Sequence, residues 1–503
     1  MRWFLASLLV FASLLLGARE GVCVNIKVTN PAVGALSSGS TGVTFNVTWD
    51  ASWRHATVIG NWDAAWVFVK YRTTTGGTLG NWKHASLNNT GHSVPSGATL
   101  TTGVVDTSAA FNISTNPVVG VFIYRSADGA GTFTANNVSL SWNYSQDGVT
   151  GSDTVEIRVF AIEMVYIPQG GFFEGDNATS SSSLKQGSSD NDPWWIGSES
   201  AISVTNSAGT GTGLAEKASE YYYPGQGDPA GSVFTIPAAY PKGFQAFYTM
   251  KGEISQGEWV VFFNTLTATQ KSTRDITSTK GDSLSYRNNV SWLGSGDATL
   301  PDQGGGATYE GVAMNYIAWA DLTAYLDWAG LRPMSELEFE KAARGPYRAV
   351  SGEYAWGTAS RTAGTSFSNS GLPSERAQSG ANVAYGTGPY RVGSFAYGVT
   401  TRIASGAGYY GTMELSGNNC ERGVTLGNST GRSFQGQYHG NGALDGSGNP
   451  DVATWPGTGG TGAAHRGGSW YDGNLQTSNR YYAAFVYTNR DNNDGGRGVR
   501  TAP

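Results

Sequence analysis

The chain has 503 residues, a formal net charge of -6, 71 glycines, and a charged fraction of 14%, well below the roughly 25% usual in soluble proteins. No Lys/Arg cluster is present, which argues against a nucleic-acid binder, because such proteins carry a basic face. Aromatic residues at 12% argue against disorder and favour many turns joined by aromatic packing.

The N-terminus opens with Met1-Arg2, an apolar run from Trp3 to Leu16, then Gly17 and Ala18. This order of charge, apolar core and small residues predicts a secretory signal peptide over 1–22. The run is too short for a spanning helix, which needs about 20 residues, and no later segment is apolar enough to be one. The expected location is outside the cell, secreted or at a surface. Cys23 and Cys420 are the only cysteines. Glu20-Gly21-Val22 is a poor lipidation signal before Cys23, and Cys420 reads as a small buried hydrophobe.

Residues 23–160 predict an all-β sandwich. Val43-Thr44-Phe45-Asn46-Val47-Thr48-Trp49 alternates with period two, as do Trp66 to Tyr71 and Val138 to Trp142, with Gly, Asn and Ser clusters between them. His55, His84 and His92 lack metal-ligand spacing. Trp53, Trp62 and Trp66 read as core.

A second domain is expected over 161–503, starting at Glu163-Met164-Val165-Tyr166-Ile167-Pro168. A Ser/Gly-rich insertion near 178–231 reads as a long loop anchored by Pro193-Trp194-Trp195. Three helices follow. Ser255 and Glu258 form a capping-box pattern before Trp259 to Phe263. Asn315 to Ala329 has Trp319, Leu322, Leu326 and Ala329 at helical spacing, with Gly330 as a stop. Ser335 and Glu338 form a second capping box, opening a helix through Ala343. Beyond it the pattern predicts short strands and long loops, giving an α+β class.

Five motifs occur in order: Leu331-Arg332-Pro333 with the helix through Arg344-Gly345, Tyr354-Ala355-Trp356-Gly357, Ser416-Gly417-Asn418-Asn419-Cys420-Glu421, Arg466-Gly467-Gly468-Ser469-Trp470, and Gly498-Val499-Arg500. Together they resemble the formylglycine-generating enzyme (sulfatase-modifying factor) family over 163–503. The resemblance implies a C-type-lectin-like fold with few helices and many loops. It also implies structural calcium, a cation that takes six to eight oxygens. One site would use Gly417, Asn418, Asn419 and Glu421; a second would use Asn369 and Asn382, where the family's carboxylate is missing.

In the family's oxidases two cysteines stand where this chain has Asp472 and Thr477. A soft metal needs thiolates, so no copper is expected. An iron-binding branch uses three histidines on a separate helical bundle, which this chain lacks, so no iron is expected either. His439 and His465 remain; a two-histidine site would need a carboxylate, and His465 reads as structural.

A third branch of the family is non-enzymatic and uses the same face for binding. Trp470, Tyr471, Asp472, Asn474, Asn479, Tyr481, Tyr482, Tyr487, Arg490 and Asn492 form a polar, aromatic set suited to it, since Tyr gives rigid contact area and Asn adapts its hydrogen bonds. The expected function is non-catalytic binding of a protein or glycan ligand outside the cell, with self-assembly as a further option. The alternatives are an enzyme with an unrecognised metal site and a structural component of an extracellular assembly. Alanine at Tyr481, Tyr482 and Arg490 is expected to abolish capture without unfolding.

Overall fold

The structure is a computed structural model that describes residues 26–57, 59–103, 118–176, 180–189, 192–207, 220–386, 388–399 and 401–503. The expected signal peptide and Cys23 lie outside the described residues.

The N-terminal part is a sandwich. Strands β1 (Ile26–Val33), β2 (Thr41–His55) and β6 (Gly129–Trp142) form one antiparallel sheet. Strands β3 (Asn61–Thr75), β4 (Ala98–Thr102), β5 (Val121–Arg125) and β7 (Thr154–Ile167) form the other. The period-two run in β2 turns Val43, Phe45, Val47 and Trp49 inward, where all are buried.

β3 is expected to alternate with period two from Trp66 to Tyr71, but it is buried on both faces, because a core packs against each side of it. Ala65, Val67, Val69 and Tyr71 join Ile157, Val159 and Ala161 in the sandwich core. Ala64, Trp66 and Phe68 face the other way, with Phe160, Ile162 and Met164, into the core of the C-terminal part. Trp66 is fully buried there; Trp53 and Trp62 are half-buried, and Trp62 stacks on Tyr166 with ring centroids 3.9 Å apart.

β7 carries the sheet onward. Its residues 154–165 pair with β3 and its residues 164–167 with β8 (Phe247–Met250). β8 pairs with β13 (Gly498–Thr501), which pairs with β9 (Arg332–Pro333). One sheet thus runs from the sandwich to the chain's last strand, and the expected boundary at 160/161 falls inside β7. Two side chains tie the parts together. Trp66 Nε1 donates to the Ala329 carbonyl at 2.8 Å, and Lys70 Nζ donates to the carbonyls of Trp328 and Gly442 at 2.8 and 2.6 Å.

The helices are few. α1 (Gln256–Phe263) and α4 (Glu336–Arg344) begin at the two expected capping boxes, with Ser255 and Ser335 accepting from the amides of Glu258 and Glu338 at 3.2 and 3.1 Å. α2 (Ala268–Arg274) was not anticipated; Thr267 and Gln270 form its capping box, but its interior has no apolar stripe. α3 (Trp319–Trp328) starts four residues later than the spacing predicts, because Tyr316 sits at φ +62° and Ala318 is extended, so the backbone turns helical only after them. Gly330 follows at φ +70°, the left-handed turn that favours glycine.

The stretch expected as a loop insertion is partly ordered into strand pairs. Trp194–Ile196 pairs with Phe172–Glu174, and Ile202–Val204 with Phe234–Ile236. Trp194 is buried and donates from Nε1 to the Lys185 carbonyl at 2.6 Å, anchoring it. The architecture is an all-β sandwich followed by an α+β unit with few helices and many loops. Among the described residues no helix is long and apolar enough to cross a membrane.

Candidate functional site

The site is built on a small sheet of three strands, β10 (Cys420–Val424), β11 (Ala463–Arg466) and β12 (Asp494–Gly495), with β10 in the middle. Glu421 lies opposite Arg466 and Gly495, Arg422 opposite His465, and Cys420 opposite Asp494. Alternation along strands then separates two faces.

The inner face is an ion-pair core. Arg466 donates to Glu336 at 3.2 Å and to Glu340 at 2.6 Å, both on α4, and Arg480 reaches the same Glu336 at 2.7 and 3.0 Å. Burial raises the pKa of Glu336, but the Arg480 guanidinium outweighs it and holds the carboxyl below its usual range. The acidic residues of the α4 motif are therefore structural, and all of these groups are buried.

The outer face carries Cys420, His465 and Asp494 at the floor of a cleft of about 670 Å³, with Arg422 on the same face beneath it. Its walls are Thr279, Tyr286, Tyr316, Tyr471, Asp472, Tyr482, Phe485, Tyr487, Arg490, Asp491, Asn492 and Asn493. Cys420 Sγ lies 3.5 Å from Asp472 Oδ2, and His465 Nδ1 lies 3.7 Å from Asp494 Oδ1. Asp494 Oδ2 accepts from Arg422 Nη2 at 2.5 Å. Burial, then the Asp472 and Asp494 carboxylates, push the Cys420 thiol well up. Burial and the Arg422 charge hold His465 well below its usual range, and burial raises Asp494 against the pull of Arg422. Cys420 is buried as expected, but its neighbours are polar.

Six of the ten expected binding residues line this cleft: Tyr471, Asp472, Tyr482, Tyr487, Arg490 and Asn492. Four do not. Trp470 is buried and donates from Nε1 to the Asn492 carbonyl at 3.2 Å, supporting the wall from behind. Asn479 donates to Asn474 at 3.4 Å, a bond within their own loop. Tyr481 is 49% exposed, outside the cleft. Arg490 lines the rim, but its guanidinium grips Asp321 at 2.7 and 2.8 Å and donates to the carbonyls of Thr273 and Asp275. Its first task is to hold the wall. Tyr286, Tyr316, Cys420, His465 and Asp494 were missed because they come from separate segments that only strand pairing and loop packing bring together. His439 lines a different cleft, beside Arg332 and Glu338, and accepts from the Thr501 amide at 3.0 Å.

At the two positions of the oxidase cysteines, Asp472 accepts from Ser469 Oγ at 2.8 Å, and Thr477 is buried with its amide on the Glu353 carbonyl at 2.9 Å. No thiol is present at either. Around the first expected calcium site, Glu421 pairs with Arg497, Asn418 Oδ1 accepts from the Tyr390 amide at 2.7 Å, and the Asn419 amide donates to Glu253 at 2.8 Å. Glu421 Oε2 and Asn419 Oδ1 are buried without a hydrogen-bond partner, oxygens of the type a hard cation takes, beside the Arg497 charge that already pairs with Glu421. Asn369 and Asn382 are not brought onto common partners. Asn369 donates to Ser374 Oγ at 3.1 Å; Asn382 accepts from the Thr362 amide at 2.9 Å and donates to the Ile403 carbonyl at 3.1 Å.

A helix-poor α+β scaffold with a cleft floored by a small sheet and walled by loops is the class of protein this geometry defines. A family model described as the sulfatase-modifying factor enzyme 1-like domain matches residues 217–502, more than half of the chain, and the protein belongs to that family. Two solved structures are similar. Treponema denticola variable protein 1 is 13% identical with a TM-score of 0.30, covering 68% of this chain and 96% of its own. PvdO from Pseudomonas aeruginosa is 16% identical with a TM-score of 0.30, covering 68% of this chain and 95% of its own. No curated protein matches the chain.

Proposed function

We propose that the protein is an exported, non-catalytic binding protein that takes a protein or glycan ligand in the cleft above β10 and β11. The observation that carries this reading is the wall: Tyr286, Tyr471, Tyr482, Phe485 and Tyr487 present aromatic surface next to Asp491, Asn492 and Asn493. Tyr286 is 53% and Tyr471 71% exposed, which suits rings waiting for a partner rather than packing a core. Such rings give contact area at low entropy cost, while carboxylates and amides orient a polar ligand. Asp472 and Thr477 in place of the oxidase cysteines support a role without that oxidation chemistry. Structural calcium at Gly417, Asn418, Asn419 and Glu421 belongs to the same proposal.

The test is ligand capture on glycan and protein arrays with the wild type and with Tyr471→Ala and Phe485→Ala. Tyr471 is 71% and Phe485 45% exposed, and neither belongs to the buried core, so the variants should fold. Capture lost in the variants supports the reading. Capture unchanged by both variants, or turnover of a bound compound, overturns it.

A further inference from the structure

We propose that Cys420, His465 and Asp494 form a binding site for a divalent transition metal of the zinc class at the floor of the cleft. This site is independent of what the cleft binds above it. Among the described residues these are the three Cys, His, Asp or Glu side chains whose ligand atoms gather within 4.8 Å of one another.

The placement follows from strand register. Cys420 is paired with Asp494 across the parallel β10–β12 contact, and Arg422, two residues on, is paired with His465 across the antiparallel β10–β11 contact. Residues two apart on β10 share a face, so the thiol, the imidazole and the carboxylate all point to the cleft side. Zinc takes this mixture of sulfur, nitrogen and oxygen donors.

The distances suit an ion. A tetrahedral centre with bonds of about 2.0–2.3 Å spaces its donors roughly 3.3–3.8 Å apart. His465 Nδ1 and Asp494 Oδ1 stand at 3.7 Å, too far for a hydrogen bond and right for two ligands of one metal. His465 Nε2 is buried with no hydrogen-bond partner, so no protein hydrogen bond through that atom fixes the ring, and coordination through Nδ1 leaves the ring proton on Nε2. Asp472 Oδ2 lies 3.5 Å from Cys420 Sγ but falls outside the gathered set of three, which leaves the fourth position of a tetrahedral ion open to the cleft.

Supporting bonds orient the ligands. Arg422 takes Asp494 Oδ2 at 2.5 Å and leaves Oδ1 toward the cluster, while its Nη1 donates to the Tyr487 carbonyl at 3.0 Å. Outer bonds of this kind fix metal ligands and typically change affinity 10–100-fold when lost. Coordination by Cys420 takes the thiolate and releases the thiol proton to solvent.

The test uses the full mature chain, cleared of metal with a chelator and titrated with Co²⁺ as an optical stand-in and with Zn²⁺ by calorimetry. One equivalent of Co²⁺ should give a thiolate-to-cobalt charge-transfer band with the visible bands of a four-coordinate ion, displaced by Zn²⁺. Cys420→Ser should abolish the charge-transfer band, and His465→Gln and Asp494→Asn should each weaken Zn²⁺ about 10-fold or more. A second readout needs no variant: Zn²⁺, but not Ca²⁺, should protect the Cys420 peptide of the wild type from alkylation, as read by mass spectrometry. Absence of a charge-transfer band in folded wild type, or alkylation of Cys420 at equal rates with and without Zn²⁺, overturns the proposal.

Discussion

Arg490 holds Asp321 with two parallel hydrogen bonds, Nε to Oδ2 at 2.7 Å and Nη2 to Oδ1 at 2.8 Å. Asp321 also accepts from the Ala318 amide at 3.0 Å at the start of α3 and from Arg274 at 3.1 Å. The cleft rim is therefore fastened to a helix start rather than left to its loop. Arg490→Ala should cost roughly 1–3 kcal/mol, less than a fully buried pair because Arg274 stays with Asp321. Arg490→Lys should recover little, since an ammonium cannot make the fork. Thermal unfolding of the three proteins decides it; an unchanged midpoint for the alanine variant would assign Arg490 to ligand contact alone.

The shared sheet sets a cooperativity prediction. Trp66 sits in β3 of the sandwich, yet it packs in the C-terminal core and bonds to the Ala329 carbonyl. Trp66→Ala should cost about 3–5 kcal/mol through the cavity it leaves. Calorimetry should show one transition in the wild type that moves down as a whole in the variant. Two transitions, with only the earlier one shifted, would mean that the sandwich unfolds on its own.

Glu414 makes stability depend on pH. Burial is the main cause that pushes its pKa up to about 7 from 4.5. The unfolded chain gives up the proton first, so the folded state holds the extra proton between those values, and stability falls as pH rises through that window. Above about pH 7 the cost is complete, on the order of 3 kcal/mol. Glu414→Gln, measured in chelator by denaturant unfolding from pH 4.5 to 8, should lose less stability across the window than the wild type. Parallel curves would show that Glu414 ionises normally in the fold.

Calcium should stabilise the wild type. Free calcium at 100 times its Kd would add about 2.7 kcal/mol, and chelator should remove it. Glu421→Gln also disturbs Arg497, so the informative quantity is the shift in midpoint on adding calcium, not the midpoint itself. That shift should vanish in the variant. A wild-type midpoint indifferent to both calcium and chelator would remove calcium from the description.

Much of the frame was legible in the sequence. Ser255 with Glu258 and Ser335 with Glu338 marked two helix starts because capping is a bond between near neighbours. The alternation from Val43 to Trp49 marked a sandwich strand because burial on one face imposes period two. Other features could not be read this way. The short strands at 194–196 and 202–204 pair with segments outside the insertion, so their order comes from partners, not from their own pattern. Arg490 looked like a contact residue because nothing near it in sequence shows that Asp321 will meet it.

The sequence by itself determined the family, two of the helix starts, the alternating strand from Val43 to Trp49 and the loss of the oxidase cysteines, since each depends on residue identity or on spacing within a few turns. Only the tertiary structure decided that the sandwich and the C-terminal part share one sheet, and that Cys420, His465 and Asp494 meet on one face. Those facts rest on pairing between strands far apart in the chain, where a shift of one residue would send every side chain to the opposite face.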